Sequence, residues 1–110
     1  LLGAAALGDI GLHFPDTSDD FKGIDSKILL HRTVELLSAK GYRIGNVDCT
    51  LCLQRPKVKP HIEAMRRTLA AAMGIAAEEV SVKATTTEKL GFVGRQEGVE
   101  AHAVALIYKE

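Results

Sequence analysis

Apolar positions along this chain repeat in two periods, and the switches between them mark its elements. Leu30, Val34 and Leu37 fall four and three residues apart, which predicts a helix from about Lys27 to Lys40. Asp25 or Ser26 is placed to cap its start and Gly41 to end it. Val47, Cys49, Leu51 and Leu53 then alternate with Asp48, Thr50, Cys52 and Gln54, the period of a half-buried strand. Arg55-Pro56-Lys57 breaks that alternation. Helical spacing returns with Met65, Leu69 and Ala72; Pro60 suits the first turn of this helix and Gly74 its stop after Met73. Val80 to Thr85 and Val99 to Tyr108 read as two further strands.

The start is less regular. Leu1 to Leu7 reads as the closing turns of a buried helix ended by Gly8-Asp9, and it carries none of the charge of a signal peptide. The expectation is one domain over residues 1–110 whose N-terminal part precedes Leu1. Asp9 to Ile24 follows as an irregular stretch, with Phe14, Pro15 and Phe21 arguing for order.

Strand, helix, strand is a βαβ unit, so its two strands are expected parallel with a right-handed crossover. The fold class is α+β, a single mixed β-sheet with helices packed on one face. The last strand shows Val99, Ala101, Ala103, Ala105 and Ile107 to one side and Val104 and Leu106 to the other. Helices on one face would leave Val104 and Leu106 wet, which predicts a homo-oligomer packed through sheet faces.

Composition narrows the function. The 14 basic and 14 acidic side chains cancel, so no overall field draws in nucleic acid or an anionic membrane, and any anion site is local. Aromatics at 5 %, without Trp, make a base-stacking platform unsuited, and no apolar run nears the ~20 residues of a membrane span. Cys49 and Cys52 have the CxxC spacing of a metal or redox pair, yet three positions along a strand turn them to opposite faces, so reduced structural thiols are expected. His13, His31, His61 and His102 stand isolated and form no local zinc motif.

Three loops beside element ends carry the remaining chemistry. Thr85-Thr86-Thr87-Glu88 offers hydroxyls and a carboxylate after a strand, either as a phosphate site at a helix mouth or as a plain helix start capped by Thr86 or Thr87. Arg55 to Lys59 offers cations or a solvated basic turn; Asp9-Ile10-Gly11 and Phe14-Pro15-Asp16 offer two carboxylates or ordinary turn residues. Loops after adjacent parallel strands share one sheet edge, which puts Lys57 and Thr86 within reach of one anion.

Blocks at these loops carry a family resemblance: Leu2-Gly3-Ala4-Ala5-Ala6-Leu7-Gly8-Asp9-Ile10-Gly11, Phe14-Pro15-Asp16-Thr17, Phe21-Lys22-Gly23, Gly45-Asn46-Val47-Asp48, Pro56-Lys57, Val82 to Phe92, Gly94-Arg95 and Glu97-Gly98. The chain resembles the 2-C-methyl-D-erythritol 2,4-cyclodiphosphate synthases, over roughly the C-terminal two-thirds of their domain. The resemblance implies a phosphorus–oxygen lyase of non-mevalonate isoprenoid synthesis. It would cyclise 4-diphosphocytidyl-2-C-methyl-D-erythritol 2-phosphate and release CMP, as a homotrimer with sheets facing the threefold axis and sites between subunits.

By the same resemblance, Asp9, Ile10 and Gly11 would hold the ribose side, and Phe14, Pro15, Asp16 and Thr17 the methylerythritol phosphate. Leu53, Gln54, Arg55, Pro56, Lys57, Val58 and Lys59 would enclose cytosine, with Lys57 near the phosphates. Thr85, Thr86 and Thr87 would bind the diphosphate, Thr86 as transition-state stabiliser, with Phe92 and Arg95 lining the same region. Glu88 would ligate magnesium or manganese, while a zinc-type site would take its ligands upstream of Leu1. Lys59 and Gln96 depart from the family pattern of a small or apolar residue and a glycine, and His102 has no family role. Two other readings stay open: a non-catalytic nucleotide-binding or structural trimer without the metal centre, and the C-terminal part of a fusion with a cytidylyltransferase. The implied location is bacterial cytoplasm or plastid, with neither nucleic acid nor membrane as partner.

Overall fold

Leu2 and Ala5 are buried against Leu37, and the chain begins there as a series of turns. In the computed structural model, which describes residues 1–110, the Leu7 N–H donates to Leu2 O at 2.9 Å and Ala6 takes a φ of 57°. The expected helix end is therefore a closing turn and not a regular helix. α1 (Ile10–His13) lies inside the stretch expected to be irregular, capped by Asp9, whose carboxylate accepts from the Leu12 N–H at 3.0 Å. Phe14 then meets Phe21 edge-on at 5.6 Å between centroids, and the Arg32 guanidinium lies over Phe21 at 5.7 Å.

α2 (Ser26–Ala39) starts as expected: the Asp25 carboxylate accepts from the Lys27 N–H at 2.9 Å, and Gly41 follows the end with a φ of 84°. β1 (Tyr42–Cys52) begins well before the predicted Val47. Its register slips between Ile44 and Asn46, leaving Gly45 as a bulge. A Cβ on Gly45 would stand 3.1 Å from the Leu106 carbonyl oxygen, a tight contact that favours glycine at the bulge. α3 (Ile62–Met73) follows a 3₁₀ turn at Lys59–His61 and stops at the left-handed Gly74. Its core stripe is Ile62, Met65, Leu69, Ala70 and Met73, one step round from the face that included Ala72.

β2 (Val80–Thr85) pairs parallel to β1, which confirms the βαβ unit. Arg66 on α3 fastens the crossover to the sheet, donating to the carbonyls of Val80 at 2.8 Å and Ala77 at 2.7 Å. Its ion pair with Glu63 holds that exposed carboxyl below the usual range. α4 (Gly91–Gly94) leads to β3 (Glu100–Lys109), antiparallel to β1, so the sheet order is β2-β1-β3.

α2 and α3 cover one sheet face, where Ile44, Val47, Ala70, Met73, Val80 and Val82 form the main core. Val80 is only 2 % exposed. Burying a side chain of that kind stabilises by about 1.5–3 kcal/mol. The other face is bare. There Lys83 grips both oxygens of Asp48, at 2.6 and 2.7 Å, and holds the Asp48 carboxyl below its ordinary range. Val104 and Leu106 on that face are 74 % and 65 % exposed, as the sequence pattern required.

Candidate active site

Cys52 stands opposite Thr85 on one side and Glu100 on the other, so the ends of β1 and β2 and the start of β3 share one edge. Two bonds tie the loops that leave this edge. The Leu53 N–H donates to Thr85 O at 3.0 Å, and the Lys89 N–H donates to the Gln54 side-chain oxygen at 3.3 Å. Between the loops lies a cavity of about 350 Å³ lined by Leu53, Gln54, Pro56, Lys57, Val58, Lys59, Ala84, Thr85 and Thr86. Gln54, Arg55, Pro56 and Lys57 line a second recess at the same loop, and the Arg55–Pro56 bond is cis. Lys57 and Thr86 thus share one pocket.

The pocket is locally cationic despite zero net charge. Lys57 and Lys59 in its lining, and Arg55 and Lys89 on the flanking loops, have no carboxylate partner. Lys22, Arg32, Lys40 and Lys109 are likewise unpaired elsewhere, whereas Lys27, Arg43, Arg66, Arg67, Lys83 and Arg95 are paired. Unneutralised ammonium groups at a cavity mouth favour an anionic ligand.

The three threonines differ in what their hydroxyl protons do. Thr85 donates to Thr86 O at 3.2 Å, and Thr87 donates to Leu90 O at 2.6 Å. Thr86 instead accepts, from the Glu88 N–H at 3.2 Å, which leaves its own proton uncommitted at the pocket wall. Of the triplet, only Thr86 is both in the cavity and free to donate.

The helix-mouth expectation for this run is corrected. Glu88 and Lys89 adopt left-handed backbone, with φ of 53° and 68°, and separate Thr87 from α4. Leu90 sits at the start of that four-residue helix, and neither Thr86 nor Thr87 caps it. What this turn offers an anion is therefore hydroxyl and ammonium groups and not a helix dipole. Non-glycine residues at positive φ are uncommon and persist where surrounding structure enforces them. The exposed Glu88 carboxylate, without a hydrogen-bond or ion-pair partner, is carried on this turn beside the pocket.

Other expected site residues lie apart. Asp9 and Ile10 border a different, largely apolar cavity of about 530 Å³ under α2 and α3. Gly11, Asp16 and Thr17 are exposed, and Phe14 and Pro15 half-buried, in the same N-terminal loop. Phe92 packs its ring on Gly98, and Arg95 is held by Glu97 at 2.6 Å. Neither lines the pocket of Thr86. Thr87 and Glu88 adjoin that pocket without lining it. Missed from the sequence were Ala84 as a lining residue and the Lys89–Gln54 link that joins the loops. The two thiols point to opposite faces as expected: Cys49 faces the helices, where burial pushes its thiol up, and Cys52 faces the other way.

Comparison with known proteins covers the whole chain. The YgbB family matches residues 1–108. A protein of Bacteroides thetaiotaomicron named 2-C-methyl-D-erythritol 2,4-cyclodiphosphate synthase is 63 % identical over 110 residues, 100 % of this chain and 69 % of its own length. The bifunctional IspDF of Campylobacter jejuni superposes with a TM-score of 0.95 at 38 % identity, over 99 % of this chain and 30 % of its own. IspF of Plasmodium falciparum in complex with CDP gives 0.86 at 32 % identity, over 99 % of this chain and 65 % of its own.

Proposed function

The chain belongs to the YgbB family of 2-C-methyl-D-erythritol 2,4-cyclodiphosphate synthases, and we propose that its Lys57–Thr86 pocket is the phosphate-binding part of that active site. The reaction is conversion of 4-diphosphocytidyl-2-C-methyl-D-erythritol 2-phosphate to the 2,4-cyclodiphosphate and CMP, a lyase step in non-mevalonate isoprenoid synthesis. The carrying observation is that Thr86 and Lys57 line one cavity, whose rim cations are unpaired.

The chemistry follows from those groups. The substrate's own phosphate is the nucleophile, so the protein supplies none. Mutual repulsion of two anionic phosphates opposes attack. Lys57 neutralises part of that charge, and the Thr86 hydroxyl donates to a phosphoryl oxygen as charge builds on it. The loop Leu53 to Lys59 holds the cytosine end, and a bent substrate filling the cavity excludes water that would hydrolyse the diphosphate.

Glu88 suits a hard divalent cation such as magnesium or manganese, which commonly takes one carboxylate and completes its shell with substrate phosphates. Bound there, such an ion would supply charge neutralisation to the phosphates. The pocket lining holds no histidine or aspartate for a zinc-type site. Glu88→Gln is expected to raise the magnesium concentration for half-maximal activity at least about tenfold, since even outer-shell ligand partners cost that much. An unchanged magnesium titration would remove Glu88 from the metal.

Asp9 and Ile10 border a different cavity from Lys57 and Thr86, and Gly11 to Thr17 follow in the same N-terminal loop, lining neither. A site completed between subunits accounts for that separation. The bare sheet face with Val104, Leu106 and Tyr108 exposed supports a homotrimer packed on it. Leu106→Asp places a charge in that contact and is expected to shift the protein from trimer to monomer in light scattering, with loss of turnover. A trimer that survives it moves the interface elsewhere. Sixty-odd per cent identity to a named synthase favours catalysis over a non-catalytic trimer. The deciding assay incubates the full-length protein with the diphosphocytidyl substrate and magnesium and follows CMP release; no CMP would defeat the reading.

The chain has no helix long and apolar enough to cross a membrane. Bacterial cytoplasm and plastid are the two settings proposed, and relatives of bacterial origin favour the first.

A further inference from the structure

We propose that Cys52, Glu100 and His102 form a site for a thiophilic divalent cation, zinc foremost, on the bare face of the sheet. The antiparallel register sets Cys52 opposite Glu100 and Thr50 opposite His102, and residues directly opposed, or two apart along a strand, share a face. One donor atom from each of Cys52, Glu100 and His102 lies within 4.8 Å of the other two. The His102 Nε2 and Glu100 Oε2 atoms stand 3.2 Å apart.

Tetrahedral zinc with ordinary bond lengths to sulfur, nitrogen and oxygen spaces its donors about 3.3–3.6 Å from one another. The imidazole and carboxylate stand 3.2 Å apart, close to that spacing, and the Cys52 sulfur, within 4.8 Å of both, has to move inward to join them. Thiol, imidazole and carboxylate together select zinc or cobalt over magnesium. The Cys52 thiol gives its proton to water as it ligates, and the fourth position is left for a water or for a donor of a second copy packed on this face.

The donors sit on two hydrogen-bonded strands, so register and not loop motion fixes their spacing. Glu100 has no cation partner other than His102, and Lys83 on the same face is taken by Asp48. The CxxC spacing is thus a false lead toward a true one: Cys49 turns under the helices, and Cys52 finds its partners across the sheet. None of the three lines the Lys57–Thr86 pocket.

Cobalt(II) titration of the full-length protein tests the site, because thiolate–cobalt charge-transfer absorption requires a cysteine ligand. The wild-type and Cys49→Ser proteins are expected to show the band, saturating at one equivalent per chain and displaced by zinc. Cys52→Ser is expected to lose it with cooperative unfolding retained, and Glu100→Gln or His102→Ala to weaken cobalt binding at least tenfold. No charge-transfer band in the wild type, or one that persists in Cys52→Ser, would overturn the proposal. CMP release is not the readout, so this result and the catalytic reading stand or fall separately.

Discussion

Replacing Thr86 by alanine is expected to lower kcat by about 10²–10³-fold, the usual consequence of removing one preorganised donor to a developing oxyanion. That corresponds to about 2.7–4 kcal/mol of transition-state stabilisation. Thr86 is singled out because its neighbours spend their hydroxyl protons on carbonyls, Thr85 on Thr86 O and Thr87 on Leu90 O. The fold should tolerate the change. The lost bond from the Glu88 N–H is long, at 3.2 Å, and exposed, so its removal costs no more than about 0.5–1.5 kcal/mol. Thr86→Ser keeps the donor and should restore most of the rate. Steady-state CMP release with the alanine, serine and wild-type enzymes checks this, alongside thermal unfolding. Near-normal turnover of Thr86→Ala would take the residue out of the chemistry. A parallel loss in Thr86→Ser would point to the methyl group's packing instead.

Much of the architecture was legible from local pattern. The α2 boundaries followed from Asp25, the Leu30-Val34-Leu37 spacing and Gly41, because caps and amphipathic periods act within a few residues. The meeting of Lys57 with Thr86 followed from the βαβ rule, which places loops after parallel neighbours on one edge. The start of β1 was not legible. Gly45 inserts an extra residue, so the alternation from Val47 onward does not continue back through Ile44 to Tyr42. The bulge is a property of the β1–β3 pair and its signal lies partly in Leu106, far along the chain.

The same limit applies at the site. Hydroxyl direction decides which threonine can donate, and no spacing rule encodes it. The turn at Glu88 and Lys89 contradicts a helix-mouth reading because neither residue advertises positive φ. Gln96 also takes a left-handed φ of 62°, which gives a physical reason for the glycine expected there. Cys52, Glu100 and His102 come together only through strand register, across about fifty residues of sequence that periodicity cannot bridge.

Gly94→Ala is expected to be the most damaging single-methyl change in the chain. A Cβ at Gly94 would stand 2.6 Å from Lys89 Cα and 2.7 Å from Lys89 O, and closer still to the Lys89 carbonyl carbon. All three are backbone atoms, and Gly94 is buried, so no side chain can swing aside. Overpacking costs about 1–3 kcal/mol where side chains can adjust, and a backbone collision belongs at or above the top of that range. Relief must come from moving the Glu88–Lys89 turn, which breaks the Lys89–Gln54 link and carries the Glu88 carboxylate away from the pocket. Stability and turnover should therefore fall together, as read by denaturant midpoint and CMP release. Lys89→Gly would ease the left-handed backbone yet leave the colliding atoms in place, so the double variant should recover little. Gly98→Ala serves as the contrast: its new methyl would meet only the Phe92 ring edge at 3.3 Å, which can shift by tenths of an ångström. Equal stability of Gly94→Ala and Gly98→Ala would show that the close approach of α4 to this turn does not hold the site in shape.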